Sequence, residues 1–381
     1  MEKEIKFYPG SILMILGYKC TNNCSYCYLK KNGAKMEQNM SLDTFEKAIK
    51  RYENFLETPN LPYKPSIALI GGEPLMYWDE LNFEKNLPIL AKIVKKHGKE
   101  IRIVSNGILL DDNKRKIIKE NNIAVDISLD GPKETHDKNR KTKDGKGTWD
   151  QAFKVIQNLI QDGNDLRVRG TITKNNASHA FEMYKFLSDL DCKRIGLEID
   201  TFNNWTDKEL SLLSIEYDKI LEHYISNYDK EKSCFSLDRV LKLLPTDLIA
   251  STKMDSKFLR PNSMAILPDG ELKVNHNFPV WADLETARLF SIGTVENGLN
   301  EEIIEQYLNH FGLMTESAYY AYNDEKVCKN CPASGIMCQT PYNNSFLPRS
   351  VWLPNHTIQC YALRFISVFG VKYLKKYGYY K

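Results

Sequence analysis

Three cysteines lie within eight residues, Cys20-Thr-Asn-Asn-Cys24-Ser-Tyr-Cys27. A loop with thiols at this spacing can wrap one metal centre. On a cubane [4Fe–4S] cluster, three thiolates leave one iron without a protein ligand. That open iron can chelate the amino and carboxylate groups of S-adenosylmethionine and place its sulfonium where the cluster delivers an electron. Reductive C–S cleavage then yields methionine and a 5′-deoxyadenosyl radical able to take hydrogen from an unactivated carbon. The competing interpretation is a zinc knuckle, which needs a fourth ligand nearby. After Cys27 the next histidine or cysteine is His97.

A second set comprises Cys328-Lys-Asn-Cys331-Pro followed by Cys338 and Cys360. By chemistry alone, four thiols in this arrangement suit a structural zinc or an iron–sulfur cluster equally well. Cys192 and Cys234 complete the nine cysteines. Each reads as a small buried hydrophobe or as a thiol that returns a hydrogen atom to a carbon radical. The odd count fits poorly with a disulfide framework.

These residues need a scaffold, and the sequence supplies one. Apolar, strand-like runs at 12–17, 67–70, 101–104, 125–129, 166–173 and 195–199 alternate with helix-like stretches at 42–55, 87–96, 113–120, 149–161 and 179–190. This alternation predicts βαβ units and a parallel sheet. Six units fall short of a closed eight-stranded barrel, so the expectation is an α/β fold, a partial (β/α)6 TIM barrel. Each motif falls just after a strand, where parallel α/β folds build their reaction face. From Asp207 to about Lys257 the pattern turns helical and polar and reads as a connector. A hairpin follows around Met264–Val274, with Pro268-Asp269-Gly270 at its turn. The expected division is therefore 1–206 for the barrel, 207–257 for the connector and 258–381 for a small, cysteine-rich α+β domain.

The cysteine spacing, with Tyr26 before the third thiol, resembles the radical S-adenosylmethionine superfamily. Three further segments match in order. Gly71-Gly72-Glu73-Pro74 is similar to the family's GGEP motif, which implies backbone and carboxylate contacts to the cofactor's amino group. Ser105-Asn106-Gly107 is similar to its ribose-contacting segment. Ser128-Leu129-Asp130-Gly131, followed by HDKNR to Arg140, resembles the branch that modifies peptides and proteins, including the anaerobic sulfatase-maturing enzymes. In that branch the serine and a downstream arginine hold the cofactor carboxylate, which implies Ser128 and Arg140, with Lys146 in the same loop as a rival cation.

The C-terminal third resembles a SPASM domain, which usually holds two auxiliary [4Fe–4S] clusters. Asn275 stands where the cysteine after the hairpin would fall, and another expected near Tyr342 is missing. The resemblance thus implies one auxiliary cluster on Cys328, Cys331, Cys338 and Cys360, with no open iron. His276 occupies the position of the proton-accepting aspartate of sulfatase-maturing enzymes, which makes sulfatase maturation itself a poor expectation. His276, Cys192 and Cys234 are the catalytic candidates.

The resemblance implies an iron–sulfur oxidoreductase that modifies a peptide or protein, as in ribosomal peptide maturation, by oxidation or cross-linking ahead of epimerisation. The alternatives are a radical dehydrogenase of a small molecule and a non-catalytic metal-binding scaffold. A flavodoxin or ferredoxin is the expected electron donor. Net charge is +3 and charged residues make up 27% of the chain, so no nucleic-acid or membrane partner is expected. No apolar run reaches membrane-spanning length, and the N-terminal MEKEIKFYPG lacks a secretory apolar core. The expected location is the cytoplasm.

Overall fold

A computed structural model describes residues 9–27, 29, 37–59, 64–200, 205–227, 233–234, 237, 263–273 and 291–305. His276 and the cysteines at 328, 331, 338 and 360 lie outside the described residues, and so does most of the segment expected to form the C-terminal domain. The chain divides into two compact units. One comprises Met1–Ser128, Arg140–Arg167 and Phe258–Leu308, and the other Leu129–Asn139, Val168–Lys257 and Asn309–Lys381.

In the first unit four strands run parallel in sequence order: β1 (Ser11–Ile15), β2 (Ser66–Ile70), β3 (Ile101–Ser105) and β4 (Ala124–Ser128). Helix α1 (Leu42–Glu57) follows β1, α2 (Phe83–Lys96) follows β2 and α3 (Asp112–Glu120) follows β3. α1 starts where the Ser41 side chain accepts a hydrogen bond from the Thr44 amide, and it buries Phe45, Ala48, Ile49, Tyr52 and Leu56 on one stripe. The strands bury Ile12, Met14, Ile67, Leu69, Ile103, Val125 and Ile127 beneath it and its neighbours.

α2 begins a turn earlier than the sequence pattern suggested, with Pro88 inside it. Burial of Phe83, Asn86 and Leu87 outweighs the one ladder bond a proline removes near a helix start. The Asn86 amide also donates to the Leu81 carbonyl at 2.9 Å. A buried ion cluster ties the strands together, with Arg102 of β3 and Arg167 both paired to the fully buried Asp126 of β4.

The hairpin signalled by Pro268-Asp269-Gly270 is present as β8 (Ser263–Ile266) and β9 (Glu271–Lys273). β8 also pairs in parallel with β1, from Ser11↔Ser263 to Met14↔Ile266. β10 (Ser291–Thr294) and β11 (Gly298–Leu299) continue antiparallel, so the order in this unit is β11-β10-β9-β8-β1-β2-β3-β4. This hairpin extends the parallel sheet.

β5 (Leu166–Ile172) begins in the first unit and continues into the second, where β6 (Arg194–Ile199) and β7 (Ser233–Cys234) follow it in the sheet. α4 (Lys133–Asn139), which has no apolar period to announce it, buries Thr135, His136 and Asn139. In the first unit α5 (Trp149–Gln161) precedes β5. In the second, α6 (Ala180–Asp189) packs on α7 (Asp207–Ser226), which falls in the stretch read as a polar connector. α7 opens with a full capping box, Thr206 and Glu209. It buries Leu213, Tyr217, Ile220, Leu221 and Tyr224. Among the described residues, no helix is long and apolar enough to cross a membrane.

Candidate cluster- and cofactor-binding site

The parallel strands β1 to β4 deliver their C-terminal loops to one edge of the first unit. The chain leaving β1 stays in register a little longer, with the Leu16 amide donating to Ile70 O at 3.0 Å. It then enters the loop carrying Cys20, Cys24 and Cys27, all half-buried. Cys27 packs against an apolar cluster of Ile15, Tyr18, Leu29, Ala265 and Leu267, so the β8 hairpin helps to seat this loop.

The Gly71-Gly72-Glu73-Pro74 loop after β2 lies directly on the cysteine loop. Gly72 N donates to Gly17 O at 2.9 Å, and Glu73 N to Lys19 O at 2.8 Å. A β-carbon on Gly72 would sit 2.1 Å from Lys19 O, and one on Gly71, whose φ is +142°, would sit 2.3 Å from Gly17 O. Only glycine permits this backbone-on-backbone approach. Pro74 opens a short 3-10 turn to Tyr77, and the Tyr77 hydroxyl accepts from the Lys19 amide at 3.1 Å. Tyr77 belongs to the site although the sequence did not single it out. It is a buried aromatic in an apolar stretch, a pattern shared with any core tyrosine.

Glu73 is fully buried. Its Oε1 accepts from Leu75 N at 3.1 Å and from Ser105 Oγ at 2.8 Å, and its Oε2 accepts from Asn106 N at 2.7 Å. Burial pushes the carboxyl up to about 7, against the pull of those three donors. Three of roughly four acceptor sites on a carboxylate are thus used inside the protein, and one remains on Oε2. An ammonium beside it would restore the charged form.

Asn106 bridges the two loops. Its Nδ2 donates to Thr21 Oγ1 at 2.9 Å and to Cys20 Sγ at 3.6 Å, while its Oδ1 accepts from Ile108 N at 3.0 Å. Cys20 Sγ also accepts from Asn22 N at 3.4 Å. Burial pushes the Cys20 thiol up to about 11, with Glu73, Cys24 and Cys27 raising it further and the Asn22 amide pulling it back. Three neighbouring thiols form a donor set suited to a cationic metal centre, which would hold all three as thiolates. Among the described residues, no three potential ligands converge on a single ion. A cubane does not require this, because each thiolate binds a different iron.

The loop after α4 is anchored to the cysteine loop. Asn23 N donates to Lys141 O at 2.6 Å, and Asn22 forms a β-bridge with Thr142. The two cations of this loop differ. Arg140 is buried, with its guanidinium 5.3 Å from the centre of the Tyr26 ring. Lys146 is exposed and paired with Asp144. Ser128 ends β4, half-buried at the same sheet edge. Cys20, Cys24, Cys27, Tyr26, Gly71 to Pro74, Ser105, Asn106, Ser128 and Arg140 therefore all belong to the first unit.

Cys192 and Cys234 belong to the second unit. Cys192 Sγ donates to Arg194 O at 3.6 Å. Cys234 lies opposite Ile195 in the sheet, fully buried near Tyr184 and Tyr217, whose hydroxyls burial drives up. Both thiols are buried.

Comparison with known proteins accords with this geometry. Residues 14–173 match the Radical SAM superfamily. The chain is 30% identical over 185 residues to a serine-type anaerobic sulfatase-maturating enzyme of Bacteroides thetaiotaomicron, covering 47% of this chain and 43% of that protein. It is 30% identical over 178 residues to an Fe-coproporphyrin III synthase of Methanosarcina barkeri, covering 46% and 40%. The match thus spans less than half the length of these curated relatives. The fold is similar to that of anSMEcpe with bound AdoMet, at a TM-score of 0.68 and 19% identity over 97% of this chain and 98% of that one. The same protein with bound AdoMet and the Cp18Cys peptide gives a TM-score of 0.65 at 19% identity, covering 95% and 99%. The chain is thus similar to the Radical SAM superfamily over residues 14–173 and shares the α/β, partial-barrel fold of anSMEcpe.

Proposed function

We propose that the chain modifies a peptide or protein by radical chemistry begun at the open iron of a cluster on Cys20, Cys24 and Cys27. The observation that carries this reading is the union of the cysteine loop with the Gly71–Pro74 loop, sealed at Gly72 and bridged by Asn106. When bound, the cluster supplies the electron that splits S-adenosylmethionine into methionine and a 5′-deoxyadenosyl radical. The residues present fit both groups. The three thiols would ligate iron, and Glu73 Oε2 would take the cofactor's ammonium. Arg140 and Ser128 would hold its carboxylate, with Arg140 kept in place by the Tyr26 ring. Asn106 Oδ1 retains a lone pair for a ribose hydroxyl.

The peptide substrate is supported by the sulfatase-maturating relatives and by the peptide-bound neighbour of like fold. Oxidation or cross-linking is favoured ahead of epimerisation. One auxiliary cluster on Cys328, Cys331, Cys338 and Cys360, a flavodoxin or ferredoxin donor and a cytoplasmic location complete the proposal. So does the functional division into barrel, connector and auxiliary-cluster domain at 1–206, 207–257 and 258–381. A small-molecule substrate is the second reading, favoured by the match to the Fe-coproporphyrin III synthase.

The test is anaerobic reconstitution with S-adenosylmethionine and a strong reductant, followed by quantification of 5′-deoxyadenosine. Product from the wild type and none from Cys24→Ala is the expected result. Adding candidate precursor peptides and weighing them then reads the reaction. A two-hydrogen mass loss marks oxidation or cross-linking, and solvent deuterium uptake without other change marks epimerisation. Wild-type protein that carries iron yet forms no 5′-deoxyadenosine with any substrate would refute the proposal.

A further inference from the structure

The side chain of Asn106 is committed inside the protein. One Nδ2 hydrogen goes to Thr21 Oγ1 at 2.9 Å and the other to Cys20 Sγ at 3.6 Å. The amide orientation is fixed, because Oδ1 accepts from Ile108 N at 3.0 Å. Its backbone is gripped by Glu73 Oε2 at 2.7 Å, and the residue is 8% exposed. Thr21 Oγ1 in turn donates to Asn22 Oδ1 at 3.2 Å. The polar chain thus runs from the Glu73 carboxylate through Asn106 to the first thiol and the loop beyond it. A residue needed only to meet a ribose would not require both amide hydrogens to face the cysteine loop.

We infer that Asn106 is a positioning residue whose amide donates to the Cys20 thiolate and thereby sets the reduction potential of the cluster on Cys20, Cys24 and Cys27. This rests on the reading of that loop as a cluster site. A donor aimed at a ligating sulfur stabilises the more negative, reduced cluster and raises its potential.

The experiment is a redox titration, followed by electron paramagnetic resonance, of the reconstituted full-length protein without S-adenosylmethionine. The signal of this cluster is assigned by its loss in Cys24→Ala. Asn106→Leu removes the donor at similar volume, and Asn106→Asp removes it at nearly identical shape. Each is expected to lower the one-electron reduction constant about tenfold, a midpoint shift of ~59 mV to more negative potential. Thr21→Val disturbs the same loop but keeps the donor to Cys20, and its midpoint should stay near that of the wild type. An unshifted midpoint in the Asn106 variants, or an equal fall in Thr21→Val, overturns the inference. Failure of both Asn106 variants to take up the cluster does so too, in favour of a purely structural role. A spectrum left unchanged by Cys24→Ala sinks the underlying cluster assignment instead, and the two failures are thereby distinct.

Discussion

At Gly72 and Glu73 the chemistry depends on single atoms. Gly72→Ala would drive a methyl to 2.1 Å from Lys19 O, a backbone atom that cannot rotate away. The expected cost is ~1–3 kcal/mol, as for other overpacked sites, read by urea unfolding. Loss of iron from the reconstituted variant should accompany it, and retention of full iron content would show that the two loops need not touch. Glu73 gives a pH signature in the cluster-free protein. Its carboxyl is raised from 4.5 to about 7 in the fold, so the folded state binds more protons than the unfolded state across that window. Stability from this group is fully present below the lower value and is lost as pH rises through the upper one, at up to about 1.4 kcal/mol per pH unit. Comparing urea midpoints at about pH 5 and about pH 7.5 should show a flatter dependence in Glu73→Gln. An unchanged slope would mean that Glu73 is ionised throughout.

The elements hold these atoms by ordinary means. α1 buries one apolar stripe and starts at a serine cap. Ser41→Ala should therefore cost about 1 kcal/mol and leave the metal content intact, which separates scaffold from site. The β8–β9 hairpin has a stronger claim on the site, because Ala265 and Leu267 line the apolar cluster beside Cys27. Its turn requires Gly270, at φ +84°, where a β-carbon would lie 2.8 Å from Val295 Cγ2. Gly270→Ala is expected to destabilise by ~1–3 kcal/mol and to lower cluster retention, both measurable on one reconstituted sample. A destabilised variant with normal retention would detach the hairpin from the cysteine loop.

For the molecule as a whole, the sharpest expectation concerns metal content. Two cubane clusters would give about eight irons per chain, four each, by colorimetric iron and sulfide assay. Cys331→Ala should fall to about four and keep the signal that Cys24→Ala abolishes. A wild-type chain with about four irons and an equivalent of zinc would instead favour a structural Cys₄ zinc site in the C-terminal region.

The sequence alone determined a good deal about this protein. Apolar runs with two periods revealed β1 to β6 and the larger helices, because burial imposes those periods on whichever residues fill the core. The spacing of Cys20, Cys24 and Cys27, with Gly71-Gly72-Glu73-Pro74 after β2, pointed to the proposed chemistry, because ligand spacing and close backbone approach are written in residue types. Other features were not legible. α4 is polar and short, so no period marks it. The pairing of β8 with β1 joins residues some 250 positions apart, and no local pattern encodes that. Of Arg140 and Lys146, equal as cations in one loop, the tertiary structure buries the first over Tyr26 and leaves the second in solvent. The same holds for Asn106: its type suggested a ligand contact, and only the fold aims its amide at Cys20. Hydrogen-bond direction at a site depends on which loops are brought together, and this is a property of the assembled sheet.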